Sequence, residues 1–233
     1  MTALAQAQVD HLVIAAPTLD AGVQWCERTL GVTPGPGGAH PLMGTHNRLL
    51  NIASPGFPSA YLEIIAIEPQ APWSRATWAS RWFDLGATDL QQALVRDGPR
   101  LIHFVASTAS AADDVKALAA LGLDRGPLIE ASRMTPAGLL AWRITVRDDG
   151  QRLMQGTLPT LIEWAGGQHP THAMPASGVT LQSLSVSHPD QALMSRAYQA
   201  IGLRAATVTA GPANLAATLH TPRGLVTLQS QGL

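Results

Sequence analysis

The chain has 233 residues, of which 46% are hydrophobic and 13% charged, and its formal net charge is −1. This length allows a sizeable core in one large or two small domains, and the near-neutral charge excludes the basic footprint of a nucleic-acid-binding or membrane-surface protein. A single cysteine, Cys26, excludes an intramolecular disulfide and is typical of a reducing compartment. Without a basic leader or an apolar run of about 18 residues, the sequence predicts a cytoplasmic protein with no membrane span.

A short apolar strand followed by a helix that ends at a glycine occurs three times along the chain. The strands are predicted at 9–16, 101–107 and 181–187, and the helices end at Gly31, Gly122 and Gly202. Glycine is favoured just after a helix because it adopts positive φ without a Cβ penalty. Further strands are predicted after each helix, at 47–54 and 60–67, at 139–147 and 158–165, and at 214–221 and 224–230. The pattern predicts an α+β fold of repeated βαβββ modules over residues 1–68, 100–168 and 178–233.

The segment 69–99 between the first two modules is rich in tryptophan, with Trp73, Trp78 and Trp82 close together. The favoured interpretation is a connector whose indole rings pack on the outside of the sheets, because these rings are usually buried. The alternative is a flap over a ligand site.

Four ionisable residues lie on otherwise apolar strands. His11 and His103 are on the first strand of modules 1 and 2, and Glu63 and Glu163 are on the last. Alternation along a strand predicts that His11 shares its face with Val9 and Val13, and that His103 shares its face with Leu101 and Val105. A buried carboxylate normally pairs, protonates or binds a metal.

Two interpretations of these four residues stay open. If the modules pack as pseudo-twofold partners, His11, Glu63, His103 and Glu163 converge and suit a divalent transition metal ion. Alternatively, each histidine is a hydrogen-bonded core residue, and a buried glutamate pairs with Arg133 or Arg143. The third module carries Ser183 at the histidine position and Thr227 near the glutamate position, so it is expected to lack the ligands.

These residues and the strings GGAHPLMGTHNRLL (37–50), AYLEIIAIEP (60–69), SRMTPAGLLAWRITV (132–146) and LPTLIEW (158–164) resemble the glyoxalase-like domain family of the vicinal oxygen chelate superfamily. The resemblance covers roughly residues 9–168. It implies a cup-shaped mixed sheet formed by two paired modules. It also implies a metal ion (zinc, nickel, cobalt, manganese or iron) held by His11, Glu63, His103 and Glu163, with a longer spacing in the second module.

Residues of the glycine-rich loop are candidates for substrate contact. His40, His46 and Asn47 surround Gly44, where backbone can approach a ligand closely, although the two histidines can equally hold the loop by hydrogen bonds. Arg133 can bind a substrate carboxylate bidentately. Cys26 is expected to be a buried, inert thiol.

Two functions follow as hypotheses. The first is a metal-dependent isomerase, lyase or dioxygenase acting on a small oxygenated carbonyl compound, with Glu63 or Glu163 as general base. The second is a metal-free protein that sequesters a small molecule in the same cup. Because such modules pair and their number is odd, the sequence also predicts a homodimer through the third modules.

Overall fold

The computed structural model describes residues 6–73, 80–135 and 138–232. In these parts of the chain, eight strands form one mixed sheet and four strands form a second sheet. No helix among the described residues is long and apolar enough to cross a membrane. Trp78 lies outside the described residues.

The first module has the predicted element order. Its helix begins after Thr18, whose side chain accepts a hydrogen bond from the Ala21 backbone N–H, and ends at Gly31 with φ of 78°. Cys26 is buried on this helix, and burial raises the pKa of its thiol to about 12, as suits an inert thiol. The elements are β1 (Gln8–Ala15), α1 (Leu19–Leu30), β2 (Ala39–His40), β3 (Thr45–Asn51) and β4 (Tyr61–Ile67).

The second module repeats this order after an additional helix, α2 (Thr88–Asp97), which the sequence analysis did not predict within the connector. Its elements are β5 (Arg100–Ser107), α3 (Ala111–Ala119), β6 (Leu128–Thr135), β7 (Gly138–Thr145) and β8 (Thr160–Trp164). In both modules the last strand pairs in parallel with the first, and β1 pairs antiparallel with β5. The result is a curled half-barrel with the order β2-β3-β4-β1-β5-β8-β7-β6, which confirms the predicted pairing of two modules into a cup.

The third unit keeps the βαβββ element order but pairs its strands differently. It consists of β9 (Thr180–His188), α4 (Gln191–Ala200), β10 (Ala206–Ala210), β11 (Asn214–Thr221) and β12 (Gly224–Gln229). Its sheet order is β10-β9-β11-β12, so the strand directly after the helix, and not the last strand, lies parallel to the first.

The third unit packs against the convex side of its own cup. Leu181, Val186 and Leu219 belong to the same buried cluster as Leu12, Ile64 and Phe104 of the large sheet, and we call this the convex cluster. The Leu181 N–H donates to the Ile52 carbonyl at 2.8 Å, and the Tyr198 hydroxyl donates to the Thr157 carbonyl at 2.6 Å. The apolar face of the third unit is therefore covered within the chain, which removes the reason given above for a homodimer; the dimer itself stays a prediction.

A second apolar cluster lies on the concave side of the large sheet, and we call it the concave cluster. It includes Val13, Ile65, Val105, Ile144 and Ile162. Trp82 and Phe83, from the 3-10 turn Trp82–Asp84, also belong to it. The position of Trp82 corrects the favoured interpretation of the connector, because this ring packs inside the cup instead of on the outside of the sheets.

Each of the three first strands contains one bulged residue at the same place in its module. The pairing of β1 with β5 skips Asp10 on one strand and Ile102 on the other, and the pairing of β9 with β11 skips Gln182. These residues immediately precede His11, His103 and Ser183. A bulge adds one residue to a strand and changes which face the following side chains take.

The bulges correct two of the predicted faces. Val9 lies in the convex cluster and Val13 in the concave one, so His11 does not share a face with both. Leu101 and Val105 are divided between the two clusters in the same way around His103. The alternation rule fails here because the bulge shifts the phase of the strand by one residue.

Candidate functional site

The floor of the cup brings His11 and Glu63 together. They stand on the parallel neighbours β1 and β4, where Glu63 is in register with Val13. Both side chains are buried, and His11 Nε2 lies 3.7 Å from Glu63 Oε2. The Asn47 side-chain amide, from the adjacent strand β3, donates to Glu63 Oε1 at 2.5 Å. The buried carboxylate is thus held by one amide and faces an imidazole.

Asp10, the bulged residue of β1, holds His11 from behind and was missed by the sequence analysis. Its Oδ1 lies 2.7 Å from His11 Nδ1. Its Oδ2 accepts from Trp164 Nε1 at 2.8 Å and lies 3.1 Å from His169 Nε2. Burial disfavours the charged form of this fully buried carboxyl, but the hydrogen bonds with His11 and His169 outweigh that effect and hold the pKa of Asp10 well below its usual range.

The contact with Asp10 fixes the orientation of the His11 ring. An ionised carboxylate only accepts hydrogen bonds, so His11 Nδ1 carries the proton that it donates to Asp10. The ring also stacks on Tyr61 with a centroid distance of 4.5 Å. Its Nε2 is left to face Glu63 and the interior of the cup.

His40 and Asn47, two of the candidates for substrate contact, line the same cavity as His11 and Glu63, and their role stays a prediction. His40 Nε2 lies 3.4 Å from Asn47 Nδ2 and 4.0 Å from Glu63 Oε1. Burial lowers the pKa of His40 to about 4, against the opposing attraction of Glu63, so its ring is neutral at pH 7. The Gly38 backbone N–H donates to Asn47 Oδ1 at 2.8 Å, which ties the glycine-rich loop to β3.

Arg133 reaches the site from β6 of the second module. Its guanidinium lines the same cavity as His11, Asn47 and Glu63, and its Nε is buried without a hydrogen-bond partner among the described residues. A Cβ on Gly38 would overlap Arg133 Nη1, so the missing side chain of this glycine makes room for the guanidinium. A buried donor without a partner is costly unless a ligand or water satisfies it.

His46 lies apart from this group. Its Nδ1 is 2.7 Å from Glu68 Oε2, both side chains are partly exposed, and His46 lines neither of the two cavities described below. The structure therefore places His46 in a partly exposed contact with Glu68, outside the cavities.

His103 is fully buried, and its ring is satisfied by the protein itself. Its Nδ1 is 2.8 Å from the Gly156 carbonyl, and its Nε2 accepts from the Thr160 N–H at 3.1 Å. Burial, reinforced by the nearby Arg125 cation, lowers the pKa of His103 well below its ordinary value. Phe83 covers the ring at a centroid distance of 5.3 Å. This neutral imidazole has no free nitrogen for a metal.

Strand register corrects the predicted equivalence of Glu163 with Glu63. In the first module, Glu63 pairs with Val13, which lies two residues after His11. In the second module, the equivalent residue is Val105, two residues after His103, and its partner is Thr160. Glu163 lies three residues further along β8. It accepts from Arg143 Nη2 at 2.6 Å and from the Ala111 N–H at the start of α3 at 3.0 Å.

The four predicted ligands therefore do not fit one metal ion. Only His11 and Glu63 meet, while His103 and Glu163 are bound to other partners. In the parts of the chain that the structure describes, no group of three or more His, Cys, Asp or Glu side chains is arranged to hold a metal. The convergence expected from the sequence is corrected for a physical reason: the second module carries a threonine hydroxyl where the first carries a carboxylate.

Two adjacent cavities lie on the concave side. The inner one, of about 30 Å³, is bounded by the polar residues named above and has room for one small polar group. The outer one has a volume of about 690 Å³. His40, Trp82, Trp142 and Ile144 line both. Trp142 and Trp164 are thus walls of the cup.

Comparison with known proteins agrees with this architecture. The sequence model of a family described as Glyoxalase-like domain matches residues 9–202. No curated protein matches the chain.

Several solved structures are similar. A hypothetical protein from Staphylococcus aureus is 13% identical, with a TM-score of 0.53 over 89% of this chain and 87% of that one. A Streptomyces coelicolor methylmalonyl-CoA epimerase variant in complex with 2-nitronate-propionyl-CoA is 17% identical, with a TM-score of 0.42 over 71% and 99%. The epimerase of Mycobacterium tuberculosis is 18% identical, with a TM-score of 0.38 over 70% and 90%. At these identities the first similarity supports the fold alone, and the two others carry no argument.

Proposed function

The chain belongs to the glyoxalase-like domain family, and we propose that it is an enzyme that moves a proton next to the carbonyl group of a small oxygenated compound. This is isomerase or lyase chemistry. The observation that carries the proposal is the buried line Asp10–His11–Glu63, which ends at a cavity that Arg133 also lines.

Glu63 is the candidate general base. Its carboxylate is buried, accepts one hydrogen bond from Asn47 and lies beside the inner cavity. A carboxylate in this setting can take a proton from the carbon next to a carbonyl; the electron pair of the broken C–H bond then moves to the carbonyl oxygen as an enolate.

Arg133 is the candidate for stabilising the enolate. Its guanidinium is a fixed positive charge, and a substrate oxygen would supply the acceptor that its buried Nε lacks. His11, with its proton on Nδ1 and its Nε2 toward Glu63, is placed to relay the proton before it returns to carbon. No step in this scheme requires a metal, in keeping with the misfit of His103 and Glu163.

The second candidate function is the metal-free binding protein. The outer cavity favours it, because a volume of about 690 Å³ is within the range of ligand pockets and would be useful without any chemistry. The two candidates differ in whether bound compounds exchange protons.

Solvent deuterium exchange separates them without knowledge of the product. Wild-type protein is incubated with 2-oxoalkanoates in D₂O, and loss of the proton signal at the carbon next to the carbonyl is followed by NMR. We expect exchange above the uncatalysed rate, and a decrease of at least about 100-fold in Glu63→Gln, because the amide cannot accept the proton. Glu68→Gln, a partly exposed glutamate outside both cavities, is the matched control and should keep the wild-type rate. Binding without exchange in the wild type would favour the sequestering protein.

A further inference from the structure

We infer that the substrate of the proposed enzyme carries an uncharged apolar tail that occupies the outer cavity while its oxygenated head group lies at Arg133 and Glu63. This inference rests on the proposed function and assigns it a substrate class, an amphiphilic carbonyl compound of medium length. Compounds of two or three carbons would leave the outer cavity almost empty.

The sizes of the two cavities favour a ligand that extends from one into the other. The inner cavity, of about 30 Å³, accommodates one small polar group, whereas the outer cavity, of about 690 Å³, has the volume of a site for a drug-sized ligand. The shared walls Trp82, Trp142 and Ile144 place the two spaces side by side. One molecule can therefore extend from the polar floor into the larger space.

The lining of the outer cavity favours an apolar tail. Met43, Ile129, Ala131 and Val146 add apolar surface to the shared tryptophans. Leu42, in the loop between β2 and β3, lines this cavity and is 46% exposed. An apolar side chain this exposed beside an apolar hollow gains from contact with a ligand that removes it from water.

The charged residues of the outer cavity offer no site for an anionic tail. Its charged lining residues are Glu130, Arg143 and Glu163, and the one arginine already lies 2.6 Å from the Glu163 carboxylate. His40, which borders it, is neutral at pH 7 because burial lowers its pKa to about 4. No free cation of the described lining is left to bind a phosphate or carboxylate at the far end of the ligand, which argues against an anionic tail; the apolar lining favours an uncharged one.

A chain-length series tests the inference. Binding of 2-oxoalkanoates with three to ten carbons is measured by calorimetry. Each methylene that enters the outer cavity should tighten binding about fourfold, the fold-change that corresponds to ~0.8 kcal/mol per buried CH₂. A second carboxylate at the tail end, as in 2-oxooctanedioate compared with 2-oxooctanoate, should abolish most of this gain.

Two variants locate the tail. Ala131→Trp fills part of the outer cavity, and Leu42→Asp places a charge at its exposed rim; both should reduce the ratio of long-chain to short-chain affinity at least tenfold. Because Leu42 lies at the surface, its variant tests the inference even if Ala131→Trp does not fold. Ala216→Trp, a partly exposed alanine on the third unit, is the control and should leave the series unchanged.

The outcomes separate the tail from the head group. Equal affinity for all chain lengths, no detectable binding of any member, or a chain-length gain that survives in both cavity variants would overturn the inference. Two other results would instead count against the proposed function. One is that Arg133→Met leaves the affinity of the shortest 2-oxo acids unchanged, and the other is that straight-chain alcohols bind as tightly as the acids.

Discussion

Three residues at the floor of the cup show how the chemistry of a side chain is set by the side chains around it. Asp10 is fully buried, yet it stays ionised because His11, His169 and Trp164 surround it with donors. The carboxylate fixes one nitrogen of His11 and leaves the other facing Glu63. A pair of this kind holds an imidazole in one tautomer and one direction, which is what a proton relay requires.

Replacing Asp10 tests this arrangement. In Asp10→Asn the amide can donate to His11 Nδ1 and so favour the opposite tautomer, and we expect the rate of deuterium exchange to fall about 100-fold or more. Asp20→Asn, an exposed aspartate on α1, is the matched control and should have no effect. An unchanged rate in Asp10→Asn would mean that the orientation of His11 is irrelevant to the reaction.

His103 should behave as a structural residue. Removing the ring in His103→Ala leaves the Thr160 N–H and the Gly156 carbonyl without partners and opens a cavity, so we expect the free energy of unfolding to fall by about 3 kcal/mol. His220→Ala, at an exposed position, should change it by less than about 0.5 kcal/mol. Urea titration measures both. A His103→Ala variant as stable as the wild type would contradict the structural role of His103.

The same residue predicts a pH dependence with a definite sign. The pKa of His103 in the folded state lies below the 6.5 of an unperturbed histidine, so below pH 6.5 the unfolded chain binds a proton that the folded chain does not. Stability is therefore complete above pH 6.5 and decreases below it, by about 1.4 kcal/mol per pH unit for each such histidine. His40 adds a decrease that ends near its folded pKa of about 4. Between pH 6.5 and 5, His103→Ala should lose stability less steeply than the wild type.

At the scale of the elements, the bulges explain where sequence reasoning succeeded and where it did not. Hydrophobic periodicity and helix-ending glycines were enough to predict α1, β4 and the repeated modules, because these signals are local, whereas the two-module cup was implied by the family resemblance. A bulge is a property of two paired strands, so nothing local in β1 or β5 indicates that Asp10 or Ile102 is the extra residue. The faces of His11 and His103 were accordingly assigned with the wrong neighbours.

Register explains the remaining error at the site. His11 and Glu63 were selected from the sequence as ionisable residues on apolar strands, His40 and Asn47 as residues of the glycine-rich loop, and Arg133 as a possible carboxylate binder. The structure brings all five together. Glu163 was selected by analogy with Glu63, but only the pairing of β5 with β8 reveals that Thr160 takes that place. A charged residue beside His11 in an apolar strand could have drawn attention to Asp10; its partners Trp164 and His169 are too distant in sequence to have been inferred.

The glycine-rich loop offers a test at this scale. A Cβ on Gly37 would overlap the backbone carbonyl and the side chain of Asn47, so Gly37→Ala must move the loop away from β3. Since Asn47 holds Glu63, we expect at least a tenfold loss in the deuterium exchange rate. Gly56→Ala, where a Cβ meets nothing within 4 Å, is the control. Equal rates for the two alanine variants would show that the loop does not position the carboxylate.

At the scale of the whole molecule, the third unit packs against the convex side of the cup and covers it. Its leucines share one cluster with the large sheet, and the Leu181 N–H donates to the carbonyl of Ile52, the residue directly after β3. Its first strand carries Ser183 where the others carry a histidine, and this side chain is exposed. The unit therefore supports the site from behind without contributing to it.

One cooperative unfolding transition should follow from this shared cluster. Leu219→Ala removes a fully buried side chain of the third unit, and we expect it to lower the free energy of unfolding of the entire chain by about 2–4 kcal/mol in a single transition. Leu225→Ala, at a leucine that is 71% exposed, is the matched control. Two separate transitions, with only one of them shifted in Leu219→Ala, would indicate that the third unit folds independently.

The central claim is that proton transfer depends on Glu63 and Asp10–His11 and not on a metal held by four ligands. The deuterium exchange measurement tests it most directly when wild type and Glu63→Gln are compared with and without prolonged treatment by a strong chelator. We predict that the wild-type rate is the same in both conditions and at least about 100-fold above that of Glu63→Gln. A wild-type rate that disappears with chelator and returns with zinc, nickel, manganese or iron, or one equal to that of Glu63→Gln, would contradict the account.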